Sequence, residues 1–210
     1  RSSFSAISLN ALEKANDEDL FRLSKDLYSD IQLFGQQACS SPLAVYFVGP
    51  SSKNGQAVRF WEFFKEASKR HELSSSEVMD RFVAASSMAI SRVINKCDMP
   101  FGSKNVLLLS GEPTAQPSFR EDHSGNGLLI QYFLPHIPDI AKYVRPEDQT
   151  LSVFGFSHEE ISSLLTSLSN RGIDRVVPIG QALEFSNMWD GIDLLDAMSR
   201  KIDISKLNRQ

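Results

Sequence analysis

Short apolar runs alternate with helix-length amphipathic stretches along almost the whole chain, and few architectures accept that rhythm. Residues 4–9 alternate apolar and polar side chains, which predicts a half-buried strand. Residues 17–31 carry Leu20, Leu23, Leu27 and Ile31 at helical spacing behind Asp17, Glu18 and Asp19, an acidic start that suits a helix dipole; Gly35 is placed to close this helix. Residues 43–48 form a continuous apolar run ended by Gly49-Pro50, the mark of a buried strand. Two helices follow. One over 56–70 places Val58, Trp61, Phe64 and Ala67 on one stripe, and its aromatic patch of Phe60, Trp61, Phe63 and Phe64 reads as core, with Phe60 or Phe63 facing a partner as the alternative; the other opens with a capping box at 74–77 and runs to about residue 95. Further strands are predicted at 106–109, 128–133, 151–156 and 175–179. A short helix starts at Pro138, a second capping box opens a helix over 157–170 stopped by Gly172, and a weak helix covers 192–202. The turn-rich stretch 111–127, with Pro113 and Pro117, reads as a long functional loop. Strands that alternate with helices predict an α/β fold with a largely parallel sheet flanked by helices.

The 210 residues suffice for one large domain, taken as 1–210. A strand already under way at Arg1 suggests a fragment, with sequence expected upstream. The net charge of −4 is spread along the chain with no basic stripe, which argues against nucleic acid as a partner. No run is long enough to cross a membrane and no secretory pattern is present. Two cysteines, Cys39 and Cys97, make no disulfide framework, which fits a reducing cytoplasm. His71, His136 and His158 share no ligand spacing with each other or with the cysteines, so no metal site is expected.

Chemistry centres on Gly35-Gln36-Gln37-Ala38-Cys39-Ser40-Ser41-Pro42, which sets one thiol between a helix and a strand. The helix ahead presents its C-terminus, which does not favour a thiolate, so activation must come from turn amides or from groups elsewhere. Pro42 extends Ser41 and sharpens the turn, and such a turn aims successive amides at a developing oxyanion. Two readings stand: Cys39 as nucleophile, or Cys39 as one of the many cysteines that serve as small buried hydrophobes.

Gln37-Ala38-Cys39 resembles the Gln-x-Cys of the aldehyde dehydrogenase superfamily, with Gln36 where most members have glycine. The longer string from Phe34 to Pro42 resembles the fatty acyl-CoA reductases, the branch that includes the reductase of bacterial bioluminescence. A second segment agrees: Gly172-Ile-Asp-Arg-Val-Val-Pro-Ile-Gly180, then Trp189-Asp-Gly191. The two matches lie at the two ends of the chain, in the family's order. The resemblance implies an aldehyde-dehydrogenase-like catalytic domain, in effect the catalytic half, with the nucleotide-binding half upstream of Arg1. It implies NADPH-dependent reduction of long-chain fatty acyl-CoA, or of activated fatty acyl groups, to aldehyde through a Cys39 thioester. It also implies Glu121 as a nicotinamide-ribose ligand, Gln37 and Trp189 in the substrate pocket, an acyl-protein synthetase and an acyltransferase as partners, and a homo-oligomeric whole protein.

Other readings stay open. Residues 120–125 also read as a solvated charged loop, His123 as a proton shuttle or an exposed histidine, and Trp189 as core packing. Cys97 is given no role. The chain is alternatively an acylating reductase for a short acyl-CoA or an acyl phosphate, or a non-catalytic subunit that binds an acyl carrier or partner.

Overall fold

Val45 and Phe47 point to one side of strand β2 (Pro42–Val48), Ala44, Tyr46 and Val48 to the other, and all five are buried. A strand covered on both faces belongs inside a parallel sheet with helices on either side. The computed structural model of the chain describes residues 1–70, 72–90, 98–102, 105–111, 119–200 and 202. Cys97, His71 and residues 112–118 of the expected loop lie outside them.

The remaining elements run in order: β1 (Ser2–Ser8), α1 (Leu9–Lys14) and α2 (Asp17–Gln32) before β2; then α3 (Gly55–Ala67), α4 (Ser75–Ile90), β3 (Asp98–Gly102) and β4 (Leu107–Ser110); then α5 (Phe119–Asp122), β5 (Leu128–Leu134), β6 (Asp148–Phe154), α6 (His158–Leu168) and β7 (Arg175–Pro178); and last β8 (Met188–Trp189), β9 (Ile192–Asp193) and α7 (Leu194–Met198). The main sheet has the order β3-β4-β5-β2-β1-β6-β7 and is parallel except for β3. The parallel strands therefore all begin at one edge.

One face packs on α2 and α3 through Leu20, Leu27, Ile31, Phe60, Trp61 and Phe64; the other packs on α4 and α6 through Ala84, Ala85, Met88, Leu164 and Leu168. The caps follow from sequence. Asn16 Oδ1 accepts from Asp19 N at 2.8 Å to start α2, and Ser157 with Glu160 completes the box that starts α6. No described helix is long and apolar enough to cross a membrane.

Several expectations are corrected. β1 is buried on both faces, not one. Its serines looked solvent-facing, but they are paired inside the sheet: Ser5 and Ser152 share a hydroxyl–hydroxyl bond of 2.7 Å, and Ser2 Oγ donates to Asp148 Oδ1 at 2.5 Å. Val58 leaves the α3 stripe and is 63% exposed, while Phe60 is fully buried and Phe63 is half-buried against the same core. Among the described residues, the helix expected from residue 192 is shorter: Ile192–Asp193 pair antiparallel with β8, and α7 covers Leu194–Met198.

Candidate functional site

Cys39 stands at the edge where the parallel strands begin, just ahead of β2. α2 ends at Gln32, and the chain then passes through three consecutive left-handed residues, Phe34, Gly35 and Gln36, with φ of 64°, 59° and 63°. Such conformations are costly away from glycine, of order 1 kcal/mol or more each, and persist only where surroundings hold them. Gln36 shows what holds them. Its side chain is buried; Nε2 donates to Pro42 O and Leu128 O, each at 2.8 Å, and Oε1 accepts from Gly127 N at 2.9 Å. One amide thus bridges the starts of β2 and β5 where their own ladder has not begun; the first paired residues are Ala44 and Ile130.

Gln37 is exposed, and its Nε2 donates to Ser124 O at 2.8 Å. The two loops touch so closely that a Cβ on Gly125 would lie 2.3 Å from Gln37 Nε2, and one on Gly127 2.3 Å from Asn105 O. Both glycines have positive φ, so side chains are excluded there twice over.

The turn follows. Ser41 N donates to Ala38 O at 3.0 Å, and Ser3 Oγ donates to Cys39 O at 2.7 Å. Among the described residues no backbone acceptor takes the amides of Cys39 or Ser40; Ser40 is buried, which leaves the Cys39 amide as the candidate donor to an oxyanion. Cys39 is partly exposed, neither walled into the core nor fully in solvent.

The stretch after residue 119 overturns the reading of a solvated loop. Arg120 is nearly buried and forks onto the fully buried Asp148, with Nε at 2.8 Å from Oδ1 and Nη2 at 2.6 Å from Oδ2. Asp148 also accepts from Ser2 Oγ and from Arg145 N, so both carboxylate oxygens are fully used. Glu121, beside it, does point outward; its side chain is 76% exposed, with Arg145 Nη1 at 3.9 Å. His123 is not an exposed histidine. Its Nδ1 accepts from Gly125 N at 3.0 Å, and burial pushes its pKa down to about 4, while the Leu128 and Leu43 carbonyls pull the other way. The ring stays neutral near pH 7 and is no ready proton donor. A polar cavity of about 140 Å³ lies between Gln36, Gln37, Ala38, Ser41, Arg120 and His123. The larger cavity, about 620 Å³, opens at the opposite edge between Ser8, Val48, Pro135 and Phe156, away from the thiol.

The second sequence segment comes to the same edge. Trp189 is half-buried and outside both core clusters, so the core-packing reading does not hold; the Arg175 guanidinium carbon sits 5.0 Å from its ring centroid, and the Phe185 ring lies tilted against it at 5.4 Å. Asp190 pairs with Arg1 at 3.0 Å. Two residues that sequence reasoning missed sit here. Asp30, buried on α2, accepts from Gly180 N at 2.7 Å and Ala182 N at 3.1 Å. Burial raises its pKa to about 6 against the pull of those amides. Arg175 donates to Glu184 O at 2.5 Å and to Ala182 O. Arg175 lay within the Gly172–Gly180 segment of the sequence, whereas Asp30, between Ser29 and Ile31 and close to Lys25, Asp26 and Gln32, carried no mark of its burial.

As to a dinucleotide, Glu121 is an exposed carboxylate, within 3.9 Å of Arg145, at the end of α5. Gly-x-Gly-x-x-Gly does not occur in the chain.

No family model and no curated protein matches the sequence. Solved structures do match. Aldehyde dehydrogenase 21 from Physcomitrella patens superimposes with TM-score 0.58 and 10% identity over 88% of this chain and 39% of its own. The 1-pyrroline-5-carboxylate dehydrogenase from Thermus, solved with bound NAD, gives 0.57 and 10% over 85% and 36%. Propionaldehyde dehydrogenase from Clostridium phytofermentans gives 0.52 and 9% over 88% and 42%. The chain therefore has the fold of the aldehyde dehydrogenase superfamily and spans well under half the length of these enzymes. At such identities the likeness is one of fold.

Proposed function

We propose that this chain is the thiol-bearing part of a nicotinamide-linked acylating reductase that turns a fatty acyl thioester into an aldehyde. The observation that carries the reading is the partly exposed Cys39, on a turn locked by Gln36 and Ser3 at the leading edge of an aldehyde-dehydrogenase-type sheet. The Cys39 thiolate attacks the acyl carbonyl, the carbonyl oxygen takes up negative charge beside the Cys39 amide, and the coenzyme A thiolate leaves to give an acyl-enzyme. Loss of one oxyanion donor typically costs about 10² to 10³ in rate. The reduced nicotinamide, when bound, supplies the hydride that converts the thioester to the aldehyde level. Glu121 is this chain's contribution to holding it, and NADPH is the donor expected from the resemblance. Trp189 and Gln37 border the substrate. An acyl-protein synthetase and an acyltransferase are the expected partners, in the cytoplasm, and the whole protein is expected to be a homo-oligomer.

A second reading draws on the cavity beside the turn. It is small and lined by polar groups, Arg120 and His123 among them, which suits a short acyl group or an acyl phosphate better than a long hydrocarbon. Aldehyde formation by the complete protein, measured across acyl-CoA substrates from butyryl to palmitoyl, separates the two. The fatty-acyl reading expects an optimum at the long end and loss of turnover in Cys39→Ser. A short-chain optimum moves the assignment to the second reading, and undiminished turnover in the serine variant removes both.

A further inference from the structure

β1 and β6 are neighbours in the sheet, and the chain leaves them in opposite directions. After β1 the crossover runs through α1 and α2 on one face to β2; after β6 it runs through α6 on the other face to β7. In an open α/β sheet such a divergence leaves a crevice beyond the carboxyl ends of the strands, and ligands bind there. The cavity of about 620 Å³ lies in that crevice. Ser8 ends β1 and Val48 ends β2 at its floor, while Pro135 follows β5 and Phe156 follows β6. Its volume falls in the range of pockets that enclose a small molecule. β2 runs from the Cys39 turn at its start to Val48 at its end, so the cavity is a strand's length away from the thiol.

The chemistry of the walls narrows the occupant. Val48, Ile137 and Phe156 offer hydrocarbon, and Pro50, Pro135 and Pro138 add ring carbon without an amide N–H. Gly49 N already donates to Leu134 O at 2.9 Å. Polar side chains of the lining are engaged as well. Ser8 Oγ accepts from Ala11 N, Asn10 Oδ1 from Lys53 Nζ at 2.7 Å, and Glu160 Oε2 from Ser157 N at 2.8 Å. A peptide strand or a sugar would leave its own polar groups without partners against such a wall, whereas a hydrocarbon chain needs none. Among the described residues no lysine or arginine lines the cavity, and Glu160 does, which disfavours a carboxylate or phosphate end group. His136 and Ser163, exposed members of the lining, suit a neutral oxygen.

We propose that this cavity is a binding site for a neutral single-chain hydrocarbon with one polar end, the chemistry of a fatty aldehyde. Its place and wall chemistry stand on the fold; the choice of an aldehyde as the natural ligand rests on the fatty-acyl reading of Cys39.

The test is photolabelling of the complete protein with a dodecanol that carries a terminal diazirine; the alcohol stands in for the aldehyde because it forms no imine with lysine. Peptide mass mapping is expected to place the label on peptides holding residues 135–138 and 156–163. Unlabelled 1-octanol, 1-decanol and 1-dodecanol are expected to displace it, each added methylene tightening binding by up to about fourfold. Dodecanoate is expected to compete less well than 1-dodecanol. Asn10→Trp and Ser163→Trp put an indole into the cavity from exposed positions on two different helices, and each is expected to lose the label at these peptides. Labelling that no alkanol displaces, displacement that ignores chain length, dodecanoate competing better than the alcohol, or label retained in both tryptophan variants overturns the proposal. Failure of the fatty-acyl reading looks different: turnover peaks with short acyl chains, or no thioester forms on Cys39, while the cavity still takes the label.

Discussion

Two buried titratable side chains near the thiol carry opposite pH signatures. Asp30 has its carboxyl held above the ordinary range by burial, to about 6. The folded state therefore binds its proton more tightly than the unfolded chain does. The stabilisation is complete at pH below the ordinary carboxylate value and is lost as pH rises through about 6. His123 has its ring held down at about 4 by burial. Its contribution is complete above the ordinary histidine value and is lost as pH falls through about 4. Between about 4 and 6 the two work against each other. Urea midpoints measured across that window are expected to fall more steeply toward acid in Asp30→Asn than in wild type. In His123→Gln they are expected to rise toward acid. Parallel curves for all three proteins would contradict the burial of these groups. Neither effect was legible in sequence: an aspartate on a helix and a histidine in a charged loop carry no mark of what packs over them.

At the scale of elements, the joint between α2 and β2 depends on one amide. Gln36→Ala leaves Pro42 O, Leu128 O and Gly127 N without their side-chain partner. Unsatisfied buried groups cost about 1–3 kcal/mol each, and water entering the 140 Å³ cavity recovers part of that. A net loss of about 3 kcal/mol is expected in chemical denaturation. A loss under about 0.5 kcal/mol, the range of an ordinary surface change, would contradict the bridging role. Periodicity located most elements well. It placed α2, β2 and α6 within a residue or two, because apolar spacing and caps are local. It misread β1, since alternation reports polar against apolar, not exposed against buried: Ser5 and Ser152 satisfy each other inside the sheet, and Ser3 bonds to Cys39 O and Thr150 N. Val58 was misplaced because the buried face of α3 is set by Ala57, Phe60, Trp61, Phe64 and Ala67, and Val58 falls outside that arc. The two-residue strands β8 and β9 are too short to carry a period at all.

For the whole molecule, the leading edge of the sheet is assembled from residues far apart in sequence. Arg1, Ser3, Gln36, Cys39, Arg120, Asp148 and Asp190 are held there through hydrogen bonds or ion pairs. The candidate nucleophile was legible from its motif, but the company it keeps was not, because each neighbour arrives from a different crossover. The Arg120–Asp148 pair joins the loop before β5 to the start of β6, and Ser2 ties β1 to the same carboxylate. Arg120→Met strands a fully buried charge and is expected to cost about 3–5 kcal/mol, seen as a lowered unfolding midpoint; a change within experimental error would contradict the pairing.

The central claim is that Cys39 is acylated. Peptide mass analysis of the complete protein after incubation with an acyl-CoA tests it most directly. The account predicts a hydroxylamine-labile acyl group on the Cys39 peptide, absent from Cys39→Ser and cleared when reduced nicotinamide is added. An acyl group found only elsewhere, or an equal yield in the serine variant, contradicts it.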